Sequence, residues 1–407
     1  MRMVFGFLGR PFVLAAFLAL AFGGACTGVR VGRSTASAPA FQVVEVATFL
    51  APKDDTGGSD QLNSSPALTP TGEIEFGTRS GHLLRLKTNG TLVSQTMILT
   101  PSRYHPSARF SPVLHFSDGS GLLCNTVLSA RMQQGYFFLN PDGTQKSYLS
   151  VPCWEGRGDA PIVLNRDTLV TFDTLIPSNV VFRSFDGAVK AKYPLKDSLS
   201  ARNIIKINDS SVLLPLFNRV VVLDSNGAVL AEKPFFSPDA SVEKNGDILV
   251  THSEMINGRS TRIISILDSK LTTLQELQLP GTITIKPPLR LSDGGLVMPI
   301  DELQMPSTHT VSILFLNADG STRAKFPLTT GYLHFPIQLL PDGTVVVLDD
   351  NDNSEKSRLL FLSPQGAELG RYGFPERQLT APLILGDGSI VAVESWKAVI
   401  IQLRNGL

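Results

Sequence analysis

An all-β ring of eight four-stranded antiparallel blades, an eight-bladed β-propeller closed by an N-terminal strand, is the fold that this 407-residue sequence predicts. Three observations carry the expectation: a turn signature that recurs eight times, strands too short and too β-branched to be helices, and two chain ends that each hold what the other lacks. Glycines closing a first hairpin stand in "TPTGEIEFG", "FSDGSGLLC", "EKNGDILVT", "LSDGGLVMP", "LPDGTVVVL" and "LGDGSIVAV". Degenerate copies, "LNRDTLVTF" and "INDSSVLLP", fill the gap between the second and third of these. Successive copies lie mostly about forty to fifty residues apart, the length of a four-stranded propeller blade.

A second series punctuates the same units one strand pair later: Asn89-Gly90, Asp142-Gly143, Asp186-Gly187, Asn226-Gly227, Asp319-Gly320, Gln365-Gly366 and Asn405-Gly406. Asn-Gly and Asp-Gly favour positive φ at both central residues, which predicts two-residue hairpin turns. The fifth unit, around "SILDSKLTTLQ", lacks that glycine. Segments such as "VVVLDSNGAVLA" and "GTVVVLDD" are β-branched on both faces, as strands of stacked sheets should be, and no stretch after residue 26 sustains a helical period. The eighth unit stops at Asn405-Gly406-Leu407, where its fourth strand should begin, while "FQVVEVATFL" at 41–50 has no partners of its own before the first unit. Residues 41–50 are therefore expected to complete the last blade, giving a propeller over 41–407 with no exposed sheet edge at its seam.

Residues 1–25 read as a targeting segment: Arg2 and Arg10, the apolar run "PFVLAAFLALAF", then Gly23, Gly24 and Ala25 ahead of Cys26. The run is short for a membrane span, so no transmembrane helix is expected in the mature chain. The placement of Cys26 resembles a bacterial lipobox, with Gly23 where that family has Leu, and implies a lipidated first residue of the mature protein; an ordinary signal peptide cut at the same bond is the other reading. Residues 26–40, small and polar, read as a flexible tether. Lys plus Arg equals Asp plus Glu at 36 each. Removing residues 1–25 takes away two arginines and no acid, which leaves the chain near neutral and excludes the basic field that nucleic-acid binding needs.

The pattern Ser-Pro-Ala-Leu, turn, Gly-x-Ile-x-Phe-Gly-Thr, then x-Gly-x-Leu-x-x-Leu and x-x-x-Gly over residues 65–90 resembles the pyrroloquinoline-quinone-type repeat of quinoprotein-like β-propellers. As an exported eight-bladed lipoprotein, the chain resembles in layout the propeller lipoproteins of outer-membrane barrel-assembly machineries. Quinone-dependent dehydrogenases of that fold imply docking tryptophans in many blades, an adjacent cysteine pair and calcium ligands. Here only Trp154 and Trp396 are present and the three cysteines are isolated, so the repeat is expected without a cofactor.

Candidate chemistry is sparse. With Cys26 lipidated, Cys124 and Cys153 remain in an oxidising compartment, either as a disulfide within the second unit or as two buried thiols. In "LDDNDNSEK", Asp349, Asn351 and Asn353 are spaced like the first ligands of a calcium loop, but the following glycine and distal glutamate are missing; a solvated loop and no metal is the expectation. Histidines 82, 105, 115, 252, 309 and 334 show no metal-ligand spacing. His334 precedes the innermost strand of the seventh unit, and the corresponding places hold Ser64, Asp159, Arg202, Lys286 and Thr380. Together they would form a polar ring at the channel mouth, which either binds a small ligand or is simply solvated.

Connections between second and third strands read as tight in units one, four and eight ("TRSGH", "LFNRV", "SWKAV") and as long loops in units two, five, six and seven. They should emerge on the face that carries the links between blades. Arg131, Met132, Met255, Arg259, Arg262 and Met305 decorate that face, and adaptable Met with fork-like Arg suits a protein partner, although loop length also drifts without function. The sequence thus predicts a non-catalytic scaffold at the bacterial envelope, anchored at the outer membrane and engaging envelope proteins, with outer-membrane protein assembly as its concrete form by resemblance. The competing expectation is a periplasmic propeller that takes a small ligand or carbohydrate in its channel.

Overall fold

Eight sheets run in simple chain order, and each is antiparallel throughout, as the repeated turns require. The computed structural model describes residues 41–53, 60–99, 110–125, 134–151, 161–173, 179–195, 203–257, 259–279, 283–284, 287–304, 308–328, 333, 335–351, 356–375 and 380–405. Blade one sets the pattern with Ala67–Leu68, Ile74–Gly77, His82–Leu86 and Leu92–Met97, counted from the channel outward. In blade six the innermost strand is split in two, Ile283–Thr284 and Leu289–Arg290, both paired with Leu296–Gln304. The second and third strands are the buried ones. Ile74–Gly77, Gly121–Asn125, Thr168–Phe172 and Ser211–Leu216 are shielded at every residue, whereas outer strands such as Val229–Pro234 carry exposed residues along their length.

The buried side chains do not meet at one centre. Among the described residues they form eight clusters, each shared by two neighbouring blades. Phe172, Val180 and Phe182 of blade three pack with Val212 and Leu214 of blade four, and Val345 and Leu360 of blade seven pack with Val297 and Phe315 of blade six. A strand sandwiched between two such clusters needs apolar residues on both faces, which accounts for the runs that showed no alternation.

The turns differ in type from the expectation. At Asn140–Thr144, Asn140 N–H donates to Thr144 O, Gly143 N–H donates to Asn140 O, and only Gly143 has positive φ; the strand register then slips between Phe138 and Leu139. This is a three-residue loop with a glycine bulge, the other common hairpin solution. Positive φ at two successive residues occurs instead at Asn165 (48°) and Arg166 (60°), in a unit that has no glycine there; Asp167 N–H donates to Leu164 O, and the paired Leu164 and Thr168 again leave three residues between them. In the fifth unit Leu271 takes the glycine place at φ 62° and turns its side chain into the cluster between blades four and five.

Closure is as expected. Phe41–Leu50 pairs antiparallel with Lys397–Asn405 and becomes the outer strand of blade eight. A bulge lies between Glu45 and Ala47, and the packing on either side gives its reason. Ahead of it, Val43 packs with blades seven and eight, and Tyr372 of blade seven donates its hydroxyl to Glu45. Beyond it, Ala47 and Phe49 join the cluster with Ile74 and Phe76 of blade one. The extra residue, Val46, flips the strand so that odd-numbered side chains serve one neighbour before the bulge and the other after it. The Glu45 carboxyl is held below its ordinary range by hydrogen bonds from Thr48 and Tyr372, while burial and Glu45 together push the Tyr372 hydroxyl up.

Neighbouring blades are also clipped by a repeated polar contact. Arg85 Nη1 donates to Pro141 O (3.0 Å), Gln275 Nε2 to Ala318 O (2.8 Å) and Arg323 Nη1 to Pro364 O (3.0 Å), each acceptor lying two residues before a turn glycine. Glycines of this series approach the preceding blade closely. A Cβ on Gly366 would sit 2.5 Å from Ala324 Cβ, and one on Gly90 would sit 3.3 Å from Thr48 O of the closing strand. The seam between blades eight and one thus uses the same contact as the ordinary blade junctions.

Candidate interaction face

Links between blades are laced to the turns between second and third strands, so both emerge on one face. Phe235 N–H donates to Asn218 O, Ser237 N–H to Phe217 O, Phe374 N–H to Ser357 O and Ala51 N–H to Trp396 O. On this face the stretches read as long loops are largely strand in units five, six and seven. Ile248–Ile256 pairs with Arg259–Leu267, Leu296–Gln304 with Thr308–Leu316, and Val345–Asn351 with Lys356–Leu362. In blade five the ladder continues to Ile256↔Arg259 around Asn257 at φ 51°. Its second strand is buried from Ile248 to His252; beyond that Glu254 and Met255 are open to solvent, so a hairpin stands clear of the ring with no buried face to betray it in sequence.

Apolar side chains gather at its base. Phe217, in the tight turn of blade four, is 53% exposed, Phe236 in the link to blade five 58%, and Met255 on the hairpin 71%. The Phe217 and Phe236 rings meet edge-on at 5.3 Å. Phe236 pairs with Ser253, two residues from Met255 on the same sheet face, so Phe236 and Met255 project to the same side. Arg262, opposite Ser253, is half-buried beside them. Ser237 holds a left-handed φ of 49° to carry the chain across Phe217. Sequence reasoning picks out Met255 and Arg262 but misses both phenylalanines. A phenylalanine inside a two-residue turn, "LFNRV", is the available signal.

Of the other residues expected on this face, Arg259 lies on the hairpin strand, and Arg131, Met132 and Met305 lie outside the described residues. Of the channel ring, Asp159, Arg202, Lys286 and His334 lie outside them too. Ser64 is buried with its Oγ accepting Gly77 N–H at 2.6 Å, and Thr380 is buried. Trp396 sits in the turn of blade eight, and Trp154 is outside the described residues. Cys124 is fully buried and disulfide-bonded; Cys26 and Cys153 both fall outside the described residues. Asp349 lies on a strand, buried and paired with Arg358 Nη2 at 2.6 Å and Nε at 2.7 Å, a structural ion pair.

His252 underlies the hairpin. Its Nε2 is 2.9 Å from Ser265 Oγ, and its ring packs against Phe235 at 4.4 Å between centres. Burial pushes its pKa down to about 4; Glu276 opposes the shift, and Arg262 and Lys233 reinforce it. The unfolded chain binds the proton at its ordinary value, so stability is lost as pH falls from about 6.5 towards 4 and changes little above that window. A loss on the order of 2 kcal/mol is expected between about pH 7 and 4.5, and His252→Gln should remove most of it. Urea midpoints of both proteins at the two pH values check this. The turn carboxylates Asp118, Asp142 and Asp319 are held below their ordinary value by hydrogen bonds from the serine or threonine two residues on, so they titrate below this window.

No protein-family model matches the chain, and no curated protein matches it by sequence. Among solved structures, BamB from Moraxella catarrhalis is similar over 89% of this chain and 100% of its own, with a TM-score of 0.56 at 11% identity. The Dos1 propeller is similar over 88% of this chain and 95% of its own, with a TM-score of 0.58 at 8% identity. At such identities the likeness is one of fold, and it shows this chain to be a β-propeller of the same general architecture.

Proposed function

We propose that this chain is a non-catalytic scaffold whose protein partner docks on the face bearing the blade-five hairpin. The observation that carries the reading is the exposed cluster of Phe217, Phe236 and Met255 at the foot of that hairpin. Aromatic and methionine side chains grouped on a mainly polar surface are the composition of a partner site, and the four-stranded blades beneath hold them on a rigid base. The finer form is an envelope lipoprotein, anchored through Cys26, with Cys124 bonded to Cys153 within blade two, acting in outer-membrane protein assembly. The lipobox-like "GGAC" at 23–26 and the fold shared with BamB support it. Among the described residues no helix is long and apolar enough to cross a membrane.

The test is in-cell cross-linking followed by purification from solubilised envelopes, comparing the parent with Phe217→Asp/Met255→Asp. Barrel-assembly components should accompany the parent and fall at least fivefold with the variant. Recovery of the parent alone, or an identical set from both, would refute the scaffold reading. Cys26→Ala should move the protein from the membrane fraction to the soluble periplasm.

A further inference from the structure

His252 is the last buried residue of its strand before the blade-five hairpin leaves the ring, and its side chain is 1% exposed. Its Nε2 lies 2.9 Å from Ser265 Oγ, and that hydroxyl donates its one proton to Glu276 Oε1 at 3.3 Å. The serine must therefore accept from the ring, which fixes the imidazole proton on Nε2. Nδ1 is left as an acceptor, buried and without a hydrogen-bond partner among the described residues. The ring fills the joint between the hairpin and the link from blade four. It packs on Phe235, which belongs to the cluster of Leu213 and Val250. Phe235 N–H is tied to Asn218 O and Ser237 N–H to Phe217 O, with Phe236 between them.

A second ring proton would meet no acceptor at hydrogen-bond distance. The carboxylate beside Nδ1 is Glu254, exposed on the same strand, with Oε1 3.8 Å away. Around the ring, Glu276 on the outer strand favours a charge, while Arg262 on the third strand and Lys233 of blade four oppose it. Lys233 stands 5.6 Å over the Phe235 ring. Asp239, the charged residue of the inner strand, lies opposite Thr251 and so on the other face of the sheet. Burial in this apolar joint outweighs Glu276, so the closed joint holds a neutral ring, and water must reach Nδ1 before the ring can carry a charge.

We propose that the joint between this link and the blade-five hairpin is an acid-operated hinge, opened by protonation of His252 so that Phe236 and Met255 part. Its consequence for docking rests on the scaffold reading; the opening itself needs no partner. The closed joint holds the imidazole pKa at about 4, against about 6.5 in an open one, so opening is favoured as pH falls. Between pH 7 and 4.5 the opening constant should rise about fiftyfold. Hydrogen exchange of the full chain reads this in segments 233–240 and 250–257, as protection factors in which intrinsic exchange cancels. Protection there should fall at least tenfold from pH 7 to 4.5. Urea below the unfolding transition should change it less than threefold, the mark of a local opening. His252→Gln, which can still donate to Ser265, and His252→Phe, which keeps a ring on Phe235, should each respond to pH less than threefold. Equal protection of the parent at the two pH values, a urea dependence matching that of Ile74–Gly77, or a full pH response in either variant would overturn the hinge. Local opening in the parent together with failed capture of envelope partners would support the hinge and overturn the scaffold reading alone.

Discussion

Deleting residues 41–50 is expected to abolish the single cooperative unfolding transition of the ring. The segment contributes nine paired residues to blade eight, and its loss exposes the edge of Lys397–Asn405. It also strips Val43 from the cluster of blades seven and eight and Ala47 and Phe49 from that of blades eight and one. Two of the eight inter-blade clusters are therefore opened by one deletion, and an open arc of blades should melt in stages from its ends. A subtler variant separates pairing from packing. Phe49→Ala alone keeps all nine pairs and the bulge but removes the ring that packs on blade one. The Phe49–Phe76 contact at 6.2 Å would go, at a cost of about 2 kcal/mol, below the range for a fully buried aromatic side chain because Phe49 is half-buried. Scanning calorimetry with urea titration reads both. A single sharp transition of undiminished enthalpy in the deletion mutant would show that closure is not needed for cooperativity.

Arg85→Met should destabilise the protein by about 3–5 kcal/mol, the cost of leaving a buried carboxylate short of its partner. Glu75 is 1% exposed and takes Arg85 Nε at 2.7 Å and Nη2 on the same oxygen. The same guanidinium clips blade one to blade two through Pro141 O. The triple variant Glu75→Leu/Arg85→Met/His115→Leu removes the charge together with Arg85 and with His115, whose Nε2 lies 2.9 Å from Glu75 Oε2, and should recover more than half of the loss, as apolar replacement of a buried ionic cluster commonly does. Urea midpoints for the two proteins decide it. A triple variant no more stable than the single would place the effect in packing and the lost clip.

Blade number, blade boundaries and the closing strand are legible in the sequence because glycine marks turns and because the two chain ends are complementary fragments of one sheet. The turn type is not, since Asn-Gly and Asp-Gly serve both the two-residue turn and the three-residue loop with a bulge, and only the count of residues between paired strands separates them. The hairpin of blade five reads as a loop because a strand standing clear of the ring has solvent on both sides and no period to display. Phe217 and Phe236 escape notice because an apolar residue is assigned to the core by default. The clips to Pro141, Ala318 and Pro364 are invisible, as a backbone carbonyl carries no residue signature.

The antiparallel seam also decides how the molecule answers a pull. Phe41 faces Asn405 at one end of the closing strand, and Leu50 faces Lys397 at the other. A load drawn along that strand from its amino end would strain all nine pairs in parallel, a shear geometry, whereas a load across the sheet would peel them one after another. The ring should therefore resist traction along the strand far better than traction at right angles to it, and its weakest joint is mechanically strong in one direction.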